Sequence, residues 1–358
     1  INAIEQGSMC TLNCPEEIDL AEAMIRLHPW AEQVKYSRSG GEAMAIAVRI
    51  ARARSGKDKI AFCGYHGWHD WYLAANLADD CNLDGHLLPG LSPRGVPRGL
   101  AGTALPFRYN HGEELESIIA KNKGEIAAIV MEPIRDHDPD PGFLKTVQNC
   151  ASEIDATLII DEISAGFRLT AGGAHLKYGI KPDIAVFAKA ISNGFPMAAI
   201  IGKSEVMESA QDTFISSTYW TERVGFVAAL ATIEKYQRCN VADHLIETGK
   251  KVQEGWKKAS AKAGITVDVG GIPPLSHFSI LCDQSLAAQT YFTQAMLEKG
   301  ILAGKAFYPT FAHRQEHIDR YLTAVDEIFS DLSKGIKKNA LPGMLKGPVA
   351  QSGFYRLT

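Results

Sequence analysis

Residues 157–202 read TLIIDEISAGFRLTAGGAHLKYGIKPDIAVFAKAISNGFPMAAIIG, and this stretch decides the fold. It holds three short apolar runs, Thr157–Ile160, Ile184–Ala188 and Met197–Ile201. Each is rich in β-branched residues and too short for a comfortable helix, so each is predicted to be a buried strand. Asp161-Glu162 closes the first run and Lys189 the second. Open α/β sheets place their chemistry at the carboxyl ends of strands, so Asp161 and Lys189 are expected to face one crevice from different strands.

A lysine and an acid held in that way suit a pyridoxal phosphate site. The lysine amine forms a Schiff base with the cofactor aldehyde, and a buried carboxylate keeps the pyridine nitrogen protonated so that the ring accepts electrons. Either residue alone reads as a solvated surface group. Their combination with the motifs that flank them is what carries the reading.

Outward from this centre, the 358 residues are ordinary in composition, with 22% charged, which bounds the chain to two or three structural units. A net charge of -4 gives no reason to propose nucleic acid or an anionic membrane as partner. No apolar run approaches the roughly 20 residues of a membrane span. Ile1–Cys14 contains no basic residue and does not read as a secretory leader. The seven cysteines (10, 14, 63, 81, 150, 239 and 282) are scattered and odd in number, which fits reduced, cytoplasmic usage better than a disulfide framework. Cys10 and Cys14 lack a second ligand pair at zinc-type spacing and read as structural.

Upstream, Pro15 with Glu16-Glu17 opens a helix to about Leu27, and Gln33–Ser37 reads as a strand. Ser39-Gly40-Gly41-Glu42 then opens a helix to about Arg54. A strand, two glycines and a helix N-terminus together make an anion site, with bare amides and no Cβ in the way. Alone, the Gly-Gly pair reads as well as a tight turn. Lys59–Cys63 is a further strand, followed by Gly64-Tyr65-His66-Gly67-Trp68-His69-Asp70, whose rings suit stacking on a flat heteroaromatic group. His66, His69 and Asp70 also suggest a metal, but no third ligand stands at useful spacing, so no metal is expected. Residues 79–102 are predicted to form a long loop in which Arg94 and Arg98 are available to an anionic substrate.

Further predicted elements are a helix at His111–Lys121, a strand at Glu125–Met131 ending in Glu132-Pro133, and a helix at Leu144–Ile154. Phe214–Trp220 offers the hydroxyls of Ser216, Ser217 and Thr218, and a helix follows from about Thr221 to Tyr236. Beyond it come helices at 241–262, Gln289–Lys299 and Gln315–Leu332, with strands at Ile265–Val269 and Phe278–Cys282. The expected organisation is an N-terminal segment 1–38, a large cofactor-binding domain 39–238, a small C-terminal α+β domain 239–334 and a tail 335–358.

These motifs, in this order, resemble the class III aminotransferases of the fold-type I pyridoxal phosphate family, with glutamate-1-semialdehyde aminomutase-like members the nearest in layout. The resemblance runs from about residue 15 to residue 332. Ser39-Gly40-Gly41-Glu42-Ala43 resembles the family's phosphate loop, with Gly41 in place of a threonine. Tyr65-His66-Gly67 resembles its ring-stacking segment. Asp161-Glu162-Ile163, followed by Gly166-Phe167-Arg168, resembles the segment whose acid pairs with the ring nitrogen and whose aliphatic residue covers the ring. Lys189 stands at the Schiff-base position, and Thr218 where a threonine reaches the phosphate of the neighbouring subunit.

The resemblance therefore implies a mostly parallel mixed sheet flanked by helices and a homodimer. It implies pyridoxal 5'-phosphate held by Ser39, Gly40, Gly41, Tyr65, His66, Asp161, Ile163, Lys189 and Thr218, and amino transfer between a small donor and a carbonyl acceptor through Lys189 and Asp161. Aminomutase activity, or a non-catalytic member of the same fold, are the alternatives. A nucleotide-binding α/β enzyme fits less well, since no GxGxxG follows the first strand. Three departures stand out. The family's N-terminal segment begins well before Ile1, Thr221-Glu222 replaces Gly-Asn and places an acid near the expected phosphate end, and GYHGWHDWYLAA carries extra tryptophans suited to a larger substrate such as a sugar.

Overall fold

The computed structural model describes residues 1–8, 11–79, 81–86, 89–134 and 136–351. Cys10 and residues 352–358 of the expected tail lie outside them. The chain forms two compact units, Ile1–Ile134 with Pro139–Cys239, and Arg135–Asp138 with Asn240–Thr358.

The first unit is built on seven strands: β1 Gln33–Ser37, β2 Lys59–Cys63, β3 Ala104–Pro106, β4 Ile126–Met131, β5 Thr157–Asp161, β6 Ile184–Phe187 and β7 Ala198–Gly202. Their order across the sheet is β1-β7-β6-β5-β4-β2-β3. Strands β6, β5, β4, β2 and β3 pair in parallel, while β7 runs antiparallel to both β6 and β1. It follows that β1 points the same way as the parallel set.

Two-residue alternation divides the strands between two cores. Ile60, Phe62, Ala128, Val130, Ile159, Val186 and Ile200 pack under helix Gly40–Ser55. Their sequence neighbours Ala61, Cys63, Ile129, Met131, Leu158 and Ile160 pack under helices Gly112–Lys121 and Phe143–Glu153. Because both faces are covered, the strands read as unbroken apolar runs rather than as alternating ones. Each buried isoleucine or valine contributes about 1.5–3 kcal/mol.

The second unit packs helices Val241–Ala263, Ser285–Glu298 and Gln315–Lys337 against an antiparallel sheet of β8 Val267–Gly270, β9 Ser276–Ile280 and β10 Ala306–Phe307. Trp256, Phe278, Phe292 and Phe329 form its centre, and Trp256 Nε1 donates to the Tyr321 hydroxyl at 3.0 Å.

Several boundaries differ from the sequence reading. β3 and β10 were not expected, being too short to show a period. Helix Ser285–Glu298 begins earlier because Ser285-Leu286-Ala287-Ala288 has no polar face to mark its start. The last helix runs on to Lys337 because Gly335, which resembles a cap, instead lets another segment approach: a Cβ there would lie 2.6 Å from Met344 Sδ. The segment around 79–102 is mostly turns, pinned by Asn76, whose side chain donates to the Leu91 carbonyl at 2.6 Å and accepts from the Leu83 amide at 2.9 Å. Arg94 and Arg98 are exposed on it. Among the described residues no helix is long and apolar enough to cross a membrane.

One buried imidazole gives the first unit a pH dependence. His28, at the end of helix Pro15–Leu27, donates from Nδ1 to the Met24 carbonyl at 2.8 Å and accepts at Nε2 from the Gly173 amide at 3.0 Å. Burial pushes its pKa down from 6.5 to about 4, opposed by the Met24 bond and assisted by His175. The folded value lies below the unfolded one, so His28 stabilises fully above pH ~6.5, and this stability is lost as pH falls from there toward ~4. The full loss is about 3 kcal/mol. Urea midpoints measured across that range should fall in the parent protein, and His28→Gln should flatten that part of the curve. Equal slopes for the two proteins would contradict the assignment.

Candidate active site

The sheet geometry delivers five motifs to one edge. Because β1, β2, β4, β5 and β6 share a direction, their carboxyl ends launch Ser39-Gly40-Gly41, Gly64–Trp68, Glu132, Asp161–Ser164 and Ala188-Lys189 from the same side.

Asp161 and Lys189 come from neighbouring parallel strands, with Asp161 in register with Val186. After extended Ala188, the backbone of Lys189 turns left-handed at φ 50° and opens a 3-10 turn through Ser192. A lysine in that region is uncommon and costs of order 1–3 kcal/mol, so the surrounding packing must impose it. The turn aims Nζ at Ser164 Oγ, 2.6 Å away. Ser164 was not singled out from the sequence, where nothing but its place two residues beyond Glu162 sets it apart.

Asp161 is buried at 2% exposure. Its Oδ1 accepts from the Ile163 amide at 2.9 Å, and its Oδ2 lies 2.7 Å from His66 Nδ1. His66 Nε2 is 3.1 Å from the Cys63 carbonyl, which can only accept, so Nε2 carries a proton and the Nδ1–Oδ2 contact shares another. His66 was grouped with the ring-stacking residues, yet it is buried with both nitrogens engaged, lying stacked on Trp71 at 6.0 Å and edge-on to Phe62. It stands behind Asp161. Tyr65 is only partly buried: its ring meets Tyr72 edge-on at 5.8 Å, and its amide donates to Glu132 Oε2 at 3.1 Å.

At the other end, Ser39 caps helix Gly40–Ser55, its Oγ accepting from the Glu42 amide at 3.4 Å. The amides of Gly40 and Gly41 precede the first intrahelical bond, Ala43 N to Ser39 O at 2.9 Å. A Cβ on Gly40 would fall 2.9 Å from Ile163 Cδ1, one on Gly41 3.1 Å from His69 Cδ2, and one on Gly67 3.0 Å from Gly41 Cα. The bare amides and Ile163 therefore meet in a cradle that side chains would fill.

Glu222 also proves to have a structural duty. It caps helix Arg223–Arg238, accepting from Val224 N at 2.7 Å and Gly225 N at 3.3 Å. Arg38, missed in the sequence, organises this turn: its guanidinium donates to the carbonyls of Tyr219, Trp220 (2.8 Å) and Glu222 (2.6 Å). Thr218 begins that turn and is exposed in the single chain, as are Ser216 and Ser217. Glu162, fully buried, accepts from the amides of Ala174 (2.9 Å) and His175 (2.8 Å) and from His175 Nδ1 (2.7 Å), so it holds a turn. Among the described residues no group of three His, Cys, Asp or Glu side chains could hold a metal ion.

With this geometry in view, residues 2–329 match the class-III aminotransferase family, and the chain belongs to it. It is a pyridoxal-phosphate-dependent aminotransferase. The 3-aminobutyryl-CoA aminotransferase of Cloacimonas acidaminovorans (strain Evry) is 30% identical over 347 residues, covering 93% of this chain and 80% of that protein. The 2'-deamino-2'-hydroxyneamine transaminase of Streptomyces kanamyceticus is 30% identical over 321 residues, covering 89% of this chain and 76% of that one. The fold is shared with the internal aldimine form of the FumI protein of Sphingopyxis sp. MTA144, at a TM-score of 0.85, 22% identity and coverage of 96% and 82% of the two chains. An omega-transaminase from Sphaerobacter thermophilus shares it at a TM-score of 0.81, 22% identity and coverage of 92% and 81%.

The residues present fit the cofactor. The glycine cradle with its first-turn amides suits a phosphate, the buried Asp161 carboxylate suits a protonated ring nitrogen, and Nζ of Lys189 suits an aldehyde.

Proposed function

We propose that Lys189 is the amine that holds the cofactor and Asp161 the partner of its ring nitrogen, in an enzyme that moves an amino group from a small donor to a carbonyl acceptor. The observation that carries this reading is the pairing of the two residues at the carboxyl ends of adjacent parallel strands. When bound, pyridoxal phosphate supplies a sink for the electrons left on a substrate carbon that loses its proton. Lys189 Nζ, positioned by Ser164, takes up and returns that proton as a general base and acid. Asp161 retains its charge opposite the ring-nitrogen proton, and His66, anchored on the Cys63 carbonyl, fixes its carboxylate. Tyr65 and Ile163 flank the ring, and Ser39 with the amides of Gly40 and Gly41 binds the phosphate.

The same reading makes the protein a homodimer in which Thr218 reaches the neighbouring subunit's phosphate. Support comes from the exposure of its segment, where Phe214 is 85% and Tyr219 61% exposed in the single chain. Among the described residues the cysteines form no disulfide, which supports the cytoplasmic assignment. Trp68, His69 and Trp71 line a cavity of about 560 Å³ with Arg49 and Arg52, and His69 also borders Gly41.

The test is to mix the holoenzyme with glutamate, alanine or glutamate-1-semialdehyde and follow the cofactor's visible absorption. Loss of the aldehyde band with an amino donor alone, restored by a carbonyl acceptor, is the expected result. Net turnover of the semialdehyde with no acceptor would assign a mutase, and an unchanging spectrum with every amine would leave a cofactor-binding protein.

A further inference from the structure

A second recess lies wholly in the unit Asn240–Thr358, which contributes none of the residues assigned above to the cofactor. Its cavity, about 550 Å³, is lined by Phe307, Tyr308 and exposed Leu302 together with His313, His317 and Arg320.

The polar wall is specified by hydrogen bonding. The Thr310 amide donates to His313 Nδ1 and the Arg314 amide to His317 Nδ1, each at 3.0 Å. A nitrogen that accepts carries no proton, so the neutral rings bear theirs on Nε2. Burial, with His317 and His244 nearby, lowers the pKa of His313 and favours that neutral form. His244 Nε2 in turn lies 3.2 Å from the Thr310 carbonyl and fixes the turn from behind. His317 Nε2 is 3.9 Å from Glu316 Oε1, beyond hydrogen-bond reach.

Arg320 places one N–H on the Lys299 carbonyl at 2.9 Å, and among the described residues no carboxylate forms an ion pair with it. Two imidazole N–H donors and a guanidinium thus line one recess at the first turn of the helix Gln315–Lys337, where the helix dipole also favours negative charge. Beside them, the ring of Phe307 lies 5.0 Å from that of His313 and 5.1 Å from that of Tyr321, giving a flat apolar wall.

We propose that this recess is a second binding site, outside the catalytic machinery, for a small organic oxyanion: a carboxylate or phosphate head on a flat apolar body. The head is met by His313, His317 and Arg320, and the body lies against Phe307 and Tyr308. The site goes beyond the aminotransferase reading and does not depend on it.

Calorimetric titration of the holoenzyme with benzoate and with phenyl phosphate tests it, the two probes separating carboxylate from phosphate preference. One site per chain is expected for at least one probe, with the cofactor's visible spectrum unchanged. Arg320→Gln should weaken binding by about tenfold or more, since a charge-assisted bond is lost. The double variant His313→Asp, His317→Asp keeps an acceptor for the two backbone amides while replacing both outward donors with groups that only accept. It should melt as the parent does and still bind more weakly. The proposal is overturned if neither probe binds, if both variants bind as the parent does, or if binding shifts the cofactor spectrum and disappears with saturating amino donor.

Discussion

Lys189→Ala should abolish turnover while leaving the protein folded and able to take up pyridoxal phosphate. The expected fall in kcat is at least about 10³-fold, because in the proposed role one amine both holds the cofactor and carries the proton, and general acid-base catalysis alone is worth about 10²–10⁴. The fold should survive because the side chain makes its bond to Ser164 at the sheet edge and packs into neither core. The strained left-handed backbone at residue 189 remains, so thermal stability should change little. Added methylamine or ethylamine should restore part of the rate by supplying the missing base. Turnover near the parent's would remove Lys189 from the chemistry.

Asp161→Ala is the second large effect. The carboxylate is buried, accepts from the Ile163 amide and is backed by His66, so it is rigid before any cofactor arrives. In the role proposed for it, its loss removes a fixed negative charge opposite the ring nitrogen. Preorganised charge of this kind is worth roughly 10²–10³ in kcat. Unlike Lys189→Ala, this variant should still hold the cofactor covalently, with its proton-transfer step slowed. A substrate deuterated at the reacting carbon should therefore show a larger kinetic isotope effect than in the parent. An unchanged kcat and isotope effect would place the ring-nitrogen partner elsewhere. His66 acts through Asp161, so its replacement by asparagine should produce a smaller loss of the same kind.

Much of this was legible in the chain itself, for definable reasons. The strands covered on both faces show as apolar runs, so β2 was located to the residue and β4 to β7 within a residue at each end. The edge at which they finish follows from the α/β pattern, and with it the convergence of Asp161 and Lys189. What stayed hidden was chemistry that depends on distance rather than sequence spacing. Nothing local in Tyr65-His66-Gly67 tells that the imidazole turns inward to Asp161 while the tyrosine stays at the surface. Glu222 looks like a misplaced charge until helix Arg223–Arg238 is seen to begin immediately after it, and then it is an N-cap. Arg38 supports carbonyls about 180 residues away in sequence, a link that no periodicity records. Ser164 shows itself only because Lys189 adopts a backbone conformation that sends Nζ toward it.

The central claim is that the amine of Lys189, one strand over from Asp161, is where the cofactor is held. Borohydride treatment of the holoenzyme, followed by digestion and mass mapping, examines it most directly. A reduced pyridoxyl group on Lys189, in the peptide that follows β6, is the expected result. A label on another lysine, or no covalent label at all, would contradict it.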